Sequence, residues 1–310
     1  MHNCKFVILS IDGGGIRGIF PAHILSCISD RLGIKISEQF DMITGTSTGS
    51  IIASAIACDI EPYQISEFYR KHGSKIFSRK NFFFNTKAIS AIQSLYDNSY
   101  FRMVLQDIFG NLTLGDVNIP LLIPATDIGY GGVHVFKSSY SPDFTRDSKV
   151  LVRDAILASC SAPTYFDPAK VNEYLLADGG LWANNPSLAA VIDAQKRLNI
   201  DFKNICVLSL GTGHSKTSYG VNTKRKWGLL RGWKGPEFIS FLMSLQAQAT
   251  YNYLQLMLDN YQLLRLDFES DLPLPLDDYS AVDDLISRAD RVFTHHSQEI
   301  KKFININNGE

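Results

Sequence analysis

No apolar run in the chain approaches the roughly 18 residues that a membrane-spanning helix needs, which argues against an integral helical membrane protein. The first hydrophobic stretch, 6–11, is cut short by Asp12 and is too brief for the core of a secretory signal. A soluble protein that stays in the cytoplasm is the expectation. Cysteine is scarce, with five residues at positions 4, 27, 58, 160 and 206 and no CxxC pair. That pattern indicates neither a disulfide framework nor a thiolate zinc site, so buried reduced thiols are expected. No cluster of ligands at metal spacing stands out either, and the expectation is no metal and no cofactor. Neither sign of charge is in excess: 30 Lys and Arg face 31 Asp and Glu, for a net charge of −1. The bulk balance therefore gives no footprint for a nucleic acid polymer. Internal repeats and low-complexity tracts are absent as well.

What is present is a globular composition, 310 residues with 45% hydrophobic and 20% charged, enough for one large α/β domain. Segments 6–11, 40–44, 120–125, 133–136, 174–177 and 205–210 read as strands. Helical segments at 19–32, 51–57, 150–159 and 187–198 alternate with them. This order predicts a three-layer α/β/α fold whose mainly parallel central sheet is covered on both faces.

The most directive stretch is Gly45-Thr46-Ser47-Thr48-Gly49, set between an apolar run and a small-residue helix. It has the form of a nucleophile elbow, in which the serine takes a strained conformation and flanking glycines avoid a clash. The helix that follows points its positive end at any anion forming beside the serine. A second signal, Asp12-Gly13-Gly14-Gly15-Ile16-Arg17-Gly18, lies between a strand and a helix. Gly13, Gly14 and Gly15 can turn amides inward as an anion nest, which beside a nucleophilic serine is an oxyanion hole. Arg17 would hold that loop or meet a substrate phosphate. The same loop satisfies GxGxxG, so a non-catalytic nucleotide-binding module is an alternative. The next strand runs into the serine elbow rather than ending in an acidic residue, which counts against a dinucleotide site.

A serine needs a base. Asp178 follows a strand and precedes Gly179-Gly180, a position that leaves its carboxylate at the end of the sheet. A plain Asp-Gly-Gly turn is the competing explanation. His214, in the loop after strand 205–210, would complete a triad in the order Ser47, Asp178, His214, as in an esterase or thioesterase acting on small esters.

Taken in order, the DGGGIRG loop, the GTSTG elbow and Asp178-Gly179-Gly180 resemble the patatin-like phospholipases, and Ser161-Ala162-Pro163-Thr164-Tyr165-Phe166 and Ser209-Leu210-Gly211-Thr212-Gly213 extend the likeness over about residues 5 to 213. The resemblance implies a lipid acyl hydrolase working through an acyl-serine intermediate. It assigns Ser47 as nucleophile, Asp178 as base in a dyad without histidine, and the Gly13 to Gly15 amides as oxyanion hole. It also implies a phospholipid or other acyl-lipid substrate and transient contact with a membrane surface.

One domain spanning 1–310 is expected, with a catalytic core at 1–213 and a C-terminal capping or regulatory region at 214–310. Within the latter, 236–259 and 281–303 read as amphipathic helices and 263–268 as a strand. Two basic and aromatic clusters suit a lipid surface or a ligand: Phe82, Phe83 and Phe84 beside Arg79, Lys80 and Lys87, and Arg225, Trp227, Arg231 and Trp233; a buried loop anchor for the first and a solvated charge run beside core tryptophans for the second are the competing and slightly favoured readings. The resemblance is strongest to bacterial members that include effectors switched on by cyclic dinucleotides in antiviral defence. For such an activator the second cluster offers guanidinium groups for phosphates and aromatic faces for bases.

Overall fold

Every residue of the strand Phe6–Ile11 is buried, as is every residue of Ile205–Leu210. A strand with no polar face is covered on both sides. The computed structural model describes residues 5–77, 94–215, 232–233 and 235–308. The aromatic run at Phe82, Phe83 and Phe84 and the candidate contacts Arg225, Trp227 and Arg231 lie outside the described residues.

In chain order the strands are β1 (Phe6–Ile11), β2 (Met42–Gly45), β3 (Leu121–Asp127), β4 (Gly132–Lys137), β5 (Ala169–Val171), β6 (Tyr174–Asp178), β7 (Ile205–Leu210), β8 (His214–Ser215), β9 (Leu263–Leu266) and β10 (Glu269–Ser270). The helices are α1 (Ile19–Leu32), α2 (Thr48–Ala57), α3 (Pro62–Ile76), α4 (Ser99–Phe109), α5 (Val152–Ser159), α6 (Gly180–Ala183), α7 (Ser187–Arg197), α8 (Gly235–Met257) and α9 (Val282–Asn308). The centre of the sheet, in the order β3-β2-β1-β7-β9, is parallel throughout. An antiparallel flank of β4, β6 and β5 is added at β3. The sheet is thus mixed but mainly parallel, in accord with the sequence pattern.

Period-two alternation along β1 sorts its side chains into two layers. Val7, Leu9 and Ile11 join the large core with α1, α2, α3 and α9, while Phe6 and Ile8 join a smaller one with Ala190, Val191 and Ala194 of α7 and Leu254 of α8. The strand expected over 263–268 ends at Leu266 as β9, and the short β10 follows at Glu269–Ser270. Its interruption has a cause: Asp267 turns from the ladder and accepts the Gly213 N–H at 2.8 Å and the Phe268 N–H at 2.9 Å. Cys27, Cys58 and Cys160 are free thiols, but Cys206 is disulfide-bonded. This corrects the expectation of reduced thiols throughout, since an odd count still leaves room for a pair.

One detail of topology positions everything that follows. β4 occupies one edge of β3 from Leu122 to Asp127. The other edge is shared, with β2 pairing in parallel at Leu121 and Leu122 and β6 pairing antiparallel at Ala125 to Asp127. β2 and β6 therefore run toward each other along the same edge and bring their C-terminal ends together over Ile123 and Pro124. Ser159, the last residue of α5, bridges this gap. Its hydroxyl donates to the Pro124 carbonyl at 2.6 Å, and its Oγ accepts the Ser47 N–H at 2.9 Å.

Ser159→Ala leaves a buried amide and a buried carbonyl without that bridge, a loss of about 1–3 kcal/mol. Urea unfolding should show a lower midpoint with an unchanged slope. An unchanged midpoint would mean that solvent fills the gap.

Candidate active site

Ser47 sits directly between β2 and α2 with φ 53° and ψ −126°, a conformation that a residue with a side chain adopts only under constraint. The constraint is close packing. A Cβ at Gly45 would lie 2.1 Å from the Gly49 carbonyl oxygen, and one at Gly49 would lie 2.3 Å from that of Ile11. Ser47 is 6% exposed, and its carbonyl accepts the Ser50 hydroxyl at 2.6 Å. Because α2 begins at Thr48, the positive end of the helix lies at the serine.

Asp178 ends β6 and is 1% exposed. Its Oδ1 accepts the Gly180 N–H at 2.6 Å, while Oδ2 is buried with no hydrogen-bond partner. Burial pushes this carboxyl up to about 7, against the lowering effect of the Ser47 hydroxyl and the Gly180 amide. The serine is thus close enough to favour the ionised form without closing a hydrogen bond to Oδ2. Ser47 and Asp178 share one narrow apolar pocket, walled by Ile51, Phe68, Phe77, Phe101 and Phe166 and reached by Tyr165, Met243 and Leu276.

The glycine loop stands beside this pair, but its three amides are not equivalent. The Gly13 N–H is donated to the Asn184 carbonyl at 3.0 Å, which corrects the expectation that Gly13 serves in an anion nest. Among the described residues no hydrogen bond engages the Gly14 or Gly15 amide. Gly15 has φ +59° and lines the pocket. Arg17 secures the loop, its Nε donating to the Gly14 carbonyl at 3.1 Å and Nη1 to that of Gly213 at 3.0 Å. Burial lowers this guanidinium to about 10. Thr212 adds a further tie, Oγ1 to the Gly13 carbonyl at 2.8 Å.

Sequence reading missed the charge cluster behind the loop. Arg265 of β9 grips Asp12 through two hydrogen bonds, 2.9 Å to Oδ1 and 2.6 Å to Oδ2, and reaches Asp267 at 2.8 Å. Burial pushes Asp12 up to about 6 against the pull of Arg265. Burial also opposes the charge on Asp267, yet Arg265 and His214 hold it well below the usual carboxylate range. The signal was available: an arginine in the middle of the apolar run 263–266 must find a carboxylate if it is buried.

His214 is not brought to the pair. Its Nδ1 lies 3.7 Å from Asp267 and its Nε2 3.9 Å from Glu269, and hydrogen bonding to Asp267 raises its pKa. It lines a separate, larger cavity of about 570 Å³ with Arg17, Thr212, Arg265 and Asp267, whose walls mix charged and apolar side chains. Tyr165, Met243 and Leu276 form a wall common to this cavity and the apolar pocket. Trp233 packs edge-on against Phe238, with ring centroids 5.0 Å apart. No described helix is long and apolar enough to cross a membrane. Against the expectation of no ligand cluster at metal spacing, His23, Cys27 and Asp290 bring their ligand atoms within 4.8 Å of one another. The first two are a helical i, i+4 pair, but the third comes from 263 residues away and cannot be read locally.

The chain is similar to known proteins. The family model for patatin-like phospholipases matches residues 9–191. A cGAMP-activated phospholipase of Escherichia coli is 34% identical over 237 residues, which cover 71% of this chain and 66% of that protein. A cGAMP-activated phospholipase of Pseudomonas aeruginosa is 29% identical over 265 residues, covering 82% and 76%. A cUMP-AMP-activated phospholipase of Escherichia coli is 32% identical over 229 residues, covering 71% and 69%. The chain thus spans just under two thirds of the length of the first of these relatives. With the serine elbow, the glycine loop and Asp178 within or beside the matched region, the chain belongs to the patatin-like phospholipase family.

Proposed function

We propose that the protein is a lipid acyl hydrolase that cleaves carboxylic ester bonds through an acyl-Ser47 intermediate. The observation that carries this reading is a strained, buried serine facing a buried carboxylate at the head of an apolar pocket. Ordinary aspartate is too weak a base for this work at neutral pH. A carboxyl raised to about 7 is matched to it. As Ser47 Oγ attacks the ester carbonyl, Asp178 takes its proton, and the oxyanion meets the Gly14 and Gly15 amides and the α2 terminus. Collapse of the intermediate returns the proton to the leaving alkoxide. Water, deprotonated by the same carboxylate, then releases the fatty acid. The apolar pocket suits an acyl chain, which supports a phospholipid or related acyl lipid over a small polar ester.

Because Met243 and Leu276 complete that pocket, the C-terminal region at 214–310 is read as part of the same unit as the core at 1–213, with a capping or regulatory task. Leu245, Tyr253 and Leu256 of α8 are exposed, which supports transient contact with a membrane surface. Activation by a cyclic dinucleotide is proposed from the names of the relatives. The larger cavity of about 570 Å³ has a size suited to a small ligand and adjoins Arg17 on the glycine loop. The triad reading is disfavoured by the placement of His214.

Ser47→Ala and Asp178→Asn should each lower turnover on lipid extract by about 10³-fold or more, whereas folded His214→Ala keeps most of it; near-total loss in the latter would favour a triad. In the wild type kcat/KM should fall as pH drops below about 7, when Asp178 becomes protonated. A flat profile from pH 5 to 8 would remove Asp178 as the base.

The same group makes a prediction for stability. Its folded pKa lies above the unfolded value, so the fold disfavours the charge. That penalty is absent below about pH 4, grows toward pH 7 and is complete above it, reaching up to about 4 kcal/mol. Asp178→Asn should therefore be more stable than wild type at pH 8 and no more stable at pH 4, as measured by denaturant unfolding. Equal stability at pH 8 would refute this.

For regulation, hydrolysis should be low without ligand and rise sharply with one member of a cyclic dinucleotide panel. Full constitutive activity together with no binding by calorimetry would exclude the activator.

A further inference from the structure

We propose that His23, Cys27 and Asp290 form a binding site for a single Zn2+ that ties α1 to α9, a site separate from the hydrolase chemistry and independent of that reading. His23 and Cys27 are one turn apart on α1 and present their ligand atoms on the same face. Asp290 approaches from α9, which packs along α1 in the large core. Zn2+ distances of about 2.0 Å to nitrogen and oxygen and about 2.3 Å to sulfur set tetrahedral separations of roughly 3.3 Å for N and O and roughly 3.5 Å for S and O. The observed separations are 3.3 Å from His23 Nε2 to Asp290 Oδ1 and 3.5 Å from Cys27 Sγ to the same oxygen.

A hydrogen bond does not explain the first contact. His23 Nε2 is buried and makes no hydrogen bond despite its proximity to the carboxylate. Such an atom is a lone pair or an N–H aimed into the cluster without a satisfied partner. The donor set of imidazole, thiolate and carboxylate matches zinc rather than calcium or magnesium, which take oxygen ligands. Cys27 is 6% exposed, which shields the sulfur. The Asp290 side chain is 46% exposed and leaves an entry path and room for a water as fourth ligand.

Arg31 supplies the outer partner. Its Nη2 donates to Asp290 Oδ1 at 3.3 Å, and its guanidinium lies 5.0 Å from the centroid of the Phe293 ring. Outer partners of this kind fix a carboxylate ligand in orientation. On binding, the Sγ–H bond breaks and its proton passes to solvent, the Zn–S, Zn–N and Zn–O bonds form, and of the roughly six waters of the aquo ion one stays as fourth ligand while the others are released. No oxidant or reductant is involved. Thiolate and carboxylate together cancel the charge of the ion.

The test uses the full-length protein stripped with chelator and reloaded with ZnCl2 or CoCl2. After gel filtration, metal analysis should give one zinc per chain. The Co2+ form should show an intense thiolate-to-cobalt absorption in the near ultraviolet. Free Zn2+ at about a hundredfold over Kd should raise Tm by roughly 5 °C. Cys27→Ser should abolish the thiolate band, and His23→Gln should weaken Zn2+ binding by at least about tenfold, with circular dichroism as the control for folding. A wild-type Co2+ complex lacking the thiolate band overturns the proposal. So does zinc retained with equal affinity by folded Cys27→Ser.

Discussion

The site depends on a shortage of room on one strand edge. β3 has β4 along one side, so β2 and β6 must divide the other, and only a parallel strand and an antiparallel strand can do so with both C-terminal ends facing inward. Side chains that follow the ends of those strands are thereby forced together. Ser47 emerges from one and Asp178 from the other. Two residues of β3 separate the paired stretches, and proline at one of them contributes a carbonyl but no N–H. The Ser159 hydroxyl fills that vacancy with one acceptor and one donor. Strain at Ser47 is held by this bridge and by the glycine contacts on either side, so the serine has no relaxed alternative into which to fall.

A second constraint is electrostatic. The loop that carries Gly14 and Gly15 begins at a buried carboxylate, Asp12, and that carboxylate is neutralised by an arginine 253 residues further on. The C-terminal part of the chain is therefore tied to the candidate site through Asp12. Removing one partner from a buried ionic cluster leaves an unpaired charge in low dielectric, so the loop and β9 are tied to a common fate.

Much of the fold was legible because its signals are local. Strands 6–11 and 205–210 and helix 19–32 have the boundaries that their apolar runs dictate. Ser47 and Asp178 could be singled out because each follows a strand and meets glycine. The direction of β6 could not be read, since antiparallel and parallel pairings leave the same pattern in one strand. The two glycine amides still unpaired could not be told from the third, because Asn184 claims Gly13 from a distant turn. Helix α3 was passed over although Ile65, Phe68, Tyr69 and Ile76 repeat at helical spacing. Its proline at the first turn and scattered charges masked an ordinary amphipathic pattern.

Tyr165, Met243 and Leu276 belong at once to the narrow apolar pocket and to the larger cavity. Any shift of these shared side chains would change the shape of both spaces at once. If the larger cavity takes a ligand and the apolar pocket an acyl chain, thermodynamic linkage makes the exchange symmetrical: whatever factor the ligand imposes on acyl-chain affinity, the acyl chain imposes on the ligand. Methionine, with three rotatable bonds and a polarizable sulfur, is well suited to be the movable panel in such a shared wall.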